Sequence, residues 1–409
     1  MTVKQPQSPS FLSILGLSGL IFFISDVQAG VGPFLALYLQ YDLKWDAGAI
    51  GVALATINIA AAVSQIPSGL LVDATKFKRL LIAIAIFLIS MGCLVILFLP
   101  TQLWIILAQA SMGVSSTLIG PTIAAITLGL VGRKLFPKRT AINESWNHAG
   151  NLCTALLAGL TGYAFGHAWI LYTVITFALI SATFLFMIQP QEIDYNVARE
   201  LAEPGLQGRA KPISVWKVLK TKPFIIFSIS VILFHLANAA QLPLVGELLA
   251  QKNPKTDSLF MASSIILAQG VMIGVAYSLK FFVNQYGRKQ IFLIGFLALP
   301  IRALLYTLTQ DPFFLLAVQL LDGIGAGIFG VIAVVIVSDL VKGTGRFNFS
   351  LSVVILCQGI GASLSNVLAG YSVNFFGFDG GFLTLALFAA IGLLFFWFFM
   401  PETKDNNDR

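Results

Sequence analysis

Apolar residues dominate this chain in runs far longer than the stripe of a water-facing helix, and turn or charge signals interrupt them at short intervals. Runs long enough to cross about 30 Å of hydrocarbon lie near positions 12–38, 48–72, 80–99, 102–129, 141–165, 168–188, 223–249, 258–282, 290–309, 312–338, 347–373 and 380–400. The breaks carry Pro100, Gly166-His167, Asp311-Pro312 and the Gly377 to Gly380 segment, residues that end or turn helices. The pattern predicts an all-α membrane protein with twelve transmembrane helices. The first run begins at Phe11, after Lys4, Pro6 and Pro9. It is too long for a signal-peptide core and shows no small-residue cleavage site, so it reads as the first span.

Composition agrees. Hydrophobic residues make up 57% and charged residues 11%, against about a quarter charged in soluble proteins. Such a chain lacks the charge to cover a water-facing surface. The net charge of +7 does not indicate nucleic-acid binding, because the basic residues sit in short clusters between apolar runs. With the N-terminus inside, the inner segments hold 21 of the 25 Lys and Arg. The outer loops keep Lys44, Lys252 and Lys255, and Arg302 falls within a span. The positive-inside rule then places both termini in the cytoplasm and the chain in the inner membrane. Cys93, Cys153 and Cys357 all lie in apolar runs without metal or redox spacing, so no disulfide, metal or cofactor is expected.

The two halves repeat. Shifting the second half back by about 210 positions aligns Gln28 with Asn238, Pro33 with Pro243, and Asn58 with Gln269. It aligns Gln109-x-x-x-Gly113 with Gln319-x-x-x-Gly323, Gly120 with Gly330, Gly150 with Gly361, and Phe165-Gly166 with Phe376-Gly377. Two pseudo-symmetric six-helix halves, 1–188 and 223–409, are predicted around a linker at 189–222, an architecture that transporters use. A channel or a receptor gives no reason to expect it. The linker, with Pro190, Pro204, Gly205 and Pro212, reads as a plain connector with a short amphipathic piece around Ile193 to Leu201.

The segment Gly69-Leu-Leu-Val-Asp73-Ala-Thr-Lys76-Phe-Lys78-Arg79 resembles the cytoplasmic signature of the major facilitator superfamily, with Lys76 in place of its second glycine. A weaker copy, Lys280-x-x-x-Asn284-Gln-Tyr-Gly287-Arg288-Lys289, occupies the corresponding loop of the second half. The resemblance covers nearly the whole chain and implies that fold. A carboxylate beside a helix end pairs with a basic residue or with a neighbouring helix N-terminus, and such a contact latches one conformation. Asp73, flanked by Lys78 and Arg79, is the candidate latch with Arg133 or Arg139 as partner. Asp339 with Arg346 or Lys342 is its candidate counterpart. The alternative is topological charge with no gating role.

Ionisable and amide groups inside spans are expensive and face the protein interior or water. The third, sixth, ninth and twelfth spans are nearly uniformly apolar apart from Arg302. In the resembled superfamily those four are peripheral and the others surround the cavity. Asp26, mid-way along the first span beside Gly30, Gly32 and Pro33, is a candidate for exchanging a proton with a water-filled cavity. Asp322 is the second candidate. His235 in the seventh span, and Glu144 with His148 one turn apart in the fifth, complete the proton-coupling set. Arg302 has three readings: a partner for Asp322, a contact for an anionic solute, or a side chain snorkelling to the surface. Gln28, Asn58, Gln109, Asn147, Asn238, Gln269 and Gln358 offer neutral donors and acceptors, and Trp146 an aromatic face.

The leading expectation is a monomeric secondary transporter that moves a small polar organic solute by alternating access, coupled to protons. The alternatives are a proton-antiport exporter of drugs or metabolites, or a siderophore permease, to which the first-span string has some likeness. The superfamily's drug antiporters often carry Gly-Pro in the fifth span and a basic residue in the fourth, and this sequence has neither. A receptor on the same fold is the reading from a different class. No nucleotide-binding motif occurs, and no nucleophile and base set marks an enzyme.

Overall fold

The computed structural model describes residues 9–25, 35, 38–45, 47–201, 212–252 and 257–404. Asp26 and Gln28 lie outside the described residues. The chain is an all-α membrane protein. Its helices are α1 (Phe11–Ile24), α2 (Ala47–Ala74), α3 (Lys78–Phe98), α4 (Gln102–Phe165), α5 (Ala168–Met187), α6 (Val215–Leu219), α7 (Lys222–Asn238), α8 (Gln241–Lys252), α9 (Asp257–Phe282), α10 (Arg288–Leu305), α11 (Pro312–Leu340) and α12 (Phe347–Phe399). Eight helical stretches among the described residues are long and apolar enough to cross a membrane. Two of them are interrupted, α4 at Gly132 with φ 71° and α12 at Gly377 with φ 72°. Counting those halves separately, and adding α1 and α10, helices overlap all twelve apolar runs of the sequence.

Helix ends follow the local chemistry. Asp311 caps α11 by accepting from the amides of Phe313 at 2.7 Å and Phe314 at 3.1 Å, with Pro312 in the first turn, where its missing N–H costs nothing. Gly287 offers α10 no side-chain cap, and Glu402 supplies one from the C-terminal tail, accepting from Arg288 N at 2.8 Å and Lys289 N at 3.1 Å. Lys404 Nζ donates to the carbonyl of Asn284 at 2.6 Å. Large apolar side chains such as Phe313, Phe375 and Phe376 stand outward, as a lipid-facing surface requires. The exposed Trp104, Trp169, Trp216 and Trp397 lie near helix ends, where amphipathic rings settle at the membrane interface.

The chain forms two compact units. The first comprises Met1–Phe136, Trp146–Pro212 and Lys342–Ser352; the second comprises Pro137–Ser145, Ile213–Val341 and Val353–Arg409. In the first, α5 packs on α1 and α3; in the second, α11 packs on α9 and α10. The second unit's core is rich in phenylalanine, with Phe234 edge-on to Phe296 at 5.1 Å and close to Phe329 at 4.8 Å.

The sequence repeat reappears as repeated contacts. A Cβ on Gly113 would meet the carbonyl oxygen of Ile57 at 2.3 Å, and one on the equivalent Gly323 would meet that of Ala268 at 2.9 Å and Val271 Cβ at 2.5 Å. Gly150 and Gly361 show the same pairing, with the carbonyls of Phe22 at 2.0 Å and Ile232 at 2.4 Å. Backbones therefore approach closely at matching places, the use to which membrane helices put small residues. The turns match as well: Gly166 and Gly377 both have positive φ, as do Gly132 and Gly343.

The middle loop corrects the plain-connector expectation over its described part. Pro190–Glu192 and Val197–Arg199 form short 3-10 turns, and Ile193, Ala198 and Leu201 are buried. The Asp194 amide donates to Gly129 O at 3.0 Å. Ser10 N donates to Glu192 at 3.0 Å. Partial burial raises the Glu192 pKa, but hydrogen bonds from Ser13 and Ser10 outweigh it and hold the carboxyl below its ordinary range.

Matching glycines make a matched test. Gly150→Ala and Gly361→Ala are each expected to destabilise the detergent-solubilised protein by about 1–3 kcal/mol through overpacking. Gly270→Ala, where the new methyl meets open space, is expected to leave the thermal midpoint unchanged or slightly raised.

Candidate functional site

The second unit carries a charge cluster in an apolar setting. Arg302 lies in α10 two residues after Pro300, and it is 1% exposed. A buried guanidinium needs partners for its nitrogens, and each nitrogen has one. Nη1 pairs with Asp322 Oδ1 of α11. Nε donates to Gln241 Oε1 of α8 at 2.8 Å. Nη2 donates to the carbonyl of Asn238 at the end of α7, at 3.3 Å. Of the three readings open from sequence, the geometry takes the Asp322 pairing. Snorkelling is excluded by the burial, and the nitrogens that an anionic solute would need are engaged.

Gln241, which sequence reasoning passed over, ties this cluster to the backbone. It is fully buried and donates from Nε2 to Ala237 O at 2.9 Å and to Leu299 O at 3.4 Å. Its only signal was its place three residues after Asn238. Asp322 keeps 12% side-chain exposure, so the carboxylate is paired without being sealed.

Further polar groups sit in the same unit. His235 Nε2 lies 3.2 Å from Gln358 Nε2 and stands edge-on to Phe329 at 4.7 Å. The side-chain oxygen of Asn238 is buried with no hydrogen-bond partner. Glu144 lies against Gly330, its Oε2 3.2 Å from where a Cβ would stand, and Gln269 is partly buried. In the first unit, Asn58 is exposed and donates to Leu54 O at 3.2 Å. Trp146 is edge-on to Phe22 at 6.1 Å, Asn147 is partly buried and His148 is buried. Gln109 and its repeat partner Gln319 are 1% and 0% exposed, and neither amide atom of either has a hydrogen-bond partner. A buried polar group left so costs about 1–3 kcal/mol, and here the cost recurs at equivalent positions.

The first unit carries a second constellation, near segments rich in Lys and Arg. Asp73 is 4% exposed. It accepts from Asn348 N at 3.1 Å, Asn348 Nδ2 at 2.8 Å and Phe349 N at 2.9 Å. This is a helix N-cap delivered from another segment: free amides and the dipole of α12 favour the negative charge. The expected partners Arg133 and Arg139 are therefore corrected. Arg133 Nε donates to Glu200 Oε2 at 2.6 Å, and Arg139 Nε, in the second unit, to Asn143 Oδ1 at 2.8 Å, one turn on. Asn348 and Glu200 were not singled out from sequence.

Lys78 turns back to the carbonyl of Val72. Arg79 reaches Phe186 O at 3.4 Å and lies over the Phe186 ring at 5.7 Å. In the second unit, Asp339 meets Arg288 at 3.2 Å and Thr403 Oγ1 at 3.3 Å. Among the described residues no group of three or more His, Cys, Asp and Glu side chains is placed to hold a metal ion.

The profile of the Major Facilitator Superfamily matches residues 15–281 and 228–409. The chain is 40% identical over 390 residues to the uncharacterized MFS-type transporters Rv2456c and MT2531 from two strains of Mycobacterium tuberculosis, covering 95% of this chain and 93% of each relative. Among solved structures, the nucleoside transporter NupG aligns with a TM-score of 0.60 at 17% identity, covering 95% of this chain and all of that one. That likeness is one of fold.

The buried pair yields a double-mutant test. Arg302→Met or Asp322→Leu alone leaves one charge uncompensated and is expected to cost about 3–5 kcal/mol. The double variant is expected to recover most of that loss in thermal unfolding of the purified protein. Additive losses would show that the two charges are not coupled.

Proposed function

The chain belongs to the major facilitator superfamily, and from that premise we propose that it is a proton-coupled secondary transporter moving a small polar organic solute by alternating access. Transport across a membrane is the family's business; the solute, the coupling ion and the direction are the proposal. Twelve crossings are arranged as two six-helix halves, 1–188 and 223–409, joined by 189–222. Both termini lie on the cytoplasmic side of the cell inner membrane.

The observation that carries this reading is the Arg302–Asp322–Gln241 cluster. A structural role alone would be filled more cheaply by apolar residues of similar volume, because desolvating an ion pair costs as much as its attraction returns. A charged cluster kept in an apolar bundle, with Asp322 still reachable, suits a site that meets a polar solute. Arg302 acts by holding Asp322 as a hydrogen-bond acceptor. Gln109, Asn238, Gln269, Gln358, Asn58, Asn147, Gln28 and Trp146 are the proposed neutral contacts. Gln109 is the case with most to gain, since its amide is buried without a partner. Asp26, Asp322, His235, Glu144 and His148 are the proposed proton carriers. Asp73 on the start of α12 is the proposed gate, and Lys78, Arg79, Arg133, Arg139, Asp339 and Arg346 are the further residues proposed to act in gating.

Proteoliposome uptake tests the reading, with a panel that includes nucleosides, sugars and amino acids, with and without an imposed pH gradient. Uptake of at least one solute is expected to follow the gradient and to collapse with a protonophore. Asp322→Asn is expected to reduce it at least about tenfold, the scale of one lost charge-assisted contact. Uptake indifferent to gradient and protonophore removes the coupling. Full activity in Asp322→Asn removes the site.

A further inference from the structure

The middle loop holds a feature that neither the fold nor the proposed solute site uses. Glu200 is 1% exposed although it is a carboxylate in a connecting segment. Its backbone has φ 57° in the left-handed region, which side chains with a Cβ seldom enter. A residue stays in such a conformation only where its surroundings hold it there.

Those surroundings reach in two directions. The Glu200 carboxylate takes Arg133 Nε at 2.6 Å, just after the break at Gly132. Arg133 Nη2 also donates to Leu201 O at 3.0 Å. On the other side, the Glu200 carbonyl accepts from Gly345 N at 3.0 Å, and Leu201 bridges to Thr344. A Cβ on Gly345 would meet Leu201 Cδ1 at 2.8 Å, so the two strands of chain lie close. Three residues later comes Asn348, whose side chain donates to Ala198 O at 3.2 Å and to Asp73 at 2.8 Å.

We propose that Glu200 is a positioning residue for the gate: it clasps the middle loop to Arg133 and Gly345, and so holds the start of α12 where Asp73 caps it. The loop is then a working part of the closure and not a tether. Opening this end requires the clasp to release together with the Asp73 cap. This role rests on the alternating-access reading, while the clasp itself is a property of the fold and is measured without any solute.

Hydrogen exchange on the full chain in nanodiscs tests it, using Glu200→Gln, Glu200→Gly and Gly345→Ala, with Glu192→Gln as a control outside the clasp. In the three clasp variants the amides of Gly345, Asn348 and Phe349 are expected to exchange about tenfold faster or more, the factor that one lost charge-assisted hydrogen bond implies. Amides of α3 and α11 are expected to keep wild-type protection, which reports intact folding, and Glu192→Gln to leave all of these rates alone. Glu200→Gly is the decisive variant. It relieves the left-handed backbone, so wild-type or slower exchange there would show a local turn only and overturn the proposal. With a transported solute, loosening the clasp depletes the outward-facing state. The apparent KM from the outer side is then expected to rise several-fold, whereas a merely unstable variant loses rate at constant KM. Unchanged KM in folded Glu200→Gln would overturn the gating role. Absence of any transport would count against the transporter reading instead, with the exchange result standing on its own.

Discussion

Inside hydrocarbon there is no water to satisfy a polar group, so each one must find its partner within the chain or destabilise the fold. That constraint makes every crossing segment a helix, since a helix bonds its own backbone. It also governs how helices meet. Burying apolar side chains against each other gains little when lipid is equally apolar, so close backbone approach becomes the main source of adhesion. Gly150 and Gly361, each against a carbonyl of a neighbouring helix, are direct products of that limit. The same constraint explains Arg302. Its guanidinium survives burial because a carboxylate, an amide and a backbone carbonyl converge on it from three other helices.

Legibility in the sequence follows from which of these features are local. Span lengths and orientation depend on runs of apolar residues and on Lys and Arg between them, both visible in one dimension. The repeat was visible too, because close packing admits only glycine at Gly113 and Gly323, and turns with positive φ favour it at Gly166 and Gly377. The pairing of Asp322 with Arg302 was among the alternatives because only one basic residue lay within a span. Gln241 was missed for the opposite reason: amides are common in these helices, and nothing local distinguishes one that locks an arginine.

Partners across the chain were harder. Asp73 was legible as a helix-end carboxylate, but its partner was assigned to an arginine when the free amides of α12 serve the same electrostatic need. Both answers satisfy the charge, so charge reasoning could not separate them. Asn348 bears no charge, and Glu200 sat in a loop whose proline and glycine content argued for a plain connector. Burial converts such a residue from solvated filler into a structural part, and burial is a three-dimensional property.

These two misses are connected. Two helical segments begin at the basic end within the first unit: the part of α4 that follows Gly132, and α12. Each start has free amides and the positive end of a helix dipole, and at each a carboxylate from elsewhere in the chain is found. Asp73 serves α12 directly, and Glu200 serves the other through Arg133. The acidic position of the second signature copy has meanwhile become Asn284, whose carbonyl takes Lys404, while Glu402 of the tail caps α10. An exact repeat would have placed an acid at Asn284 as well. The two signature copies thus differ in which carboxylate meets a helix start in the same unit: Asp73 from within the motif for α12, and Glu402 from the tail for α10.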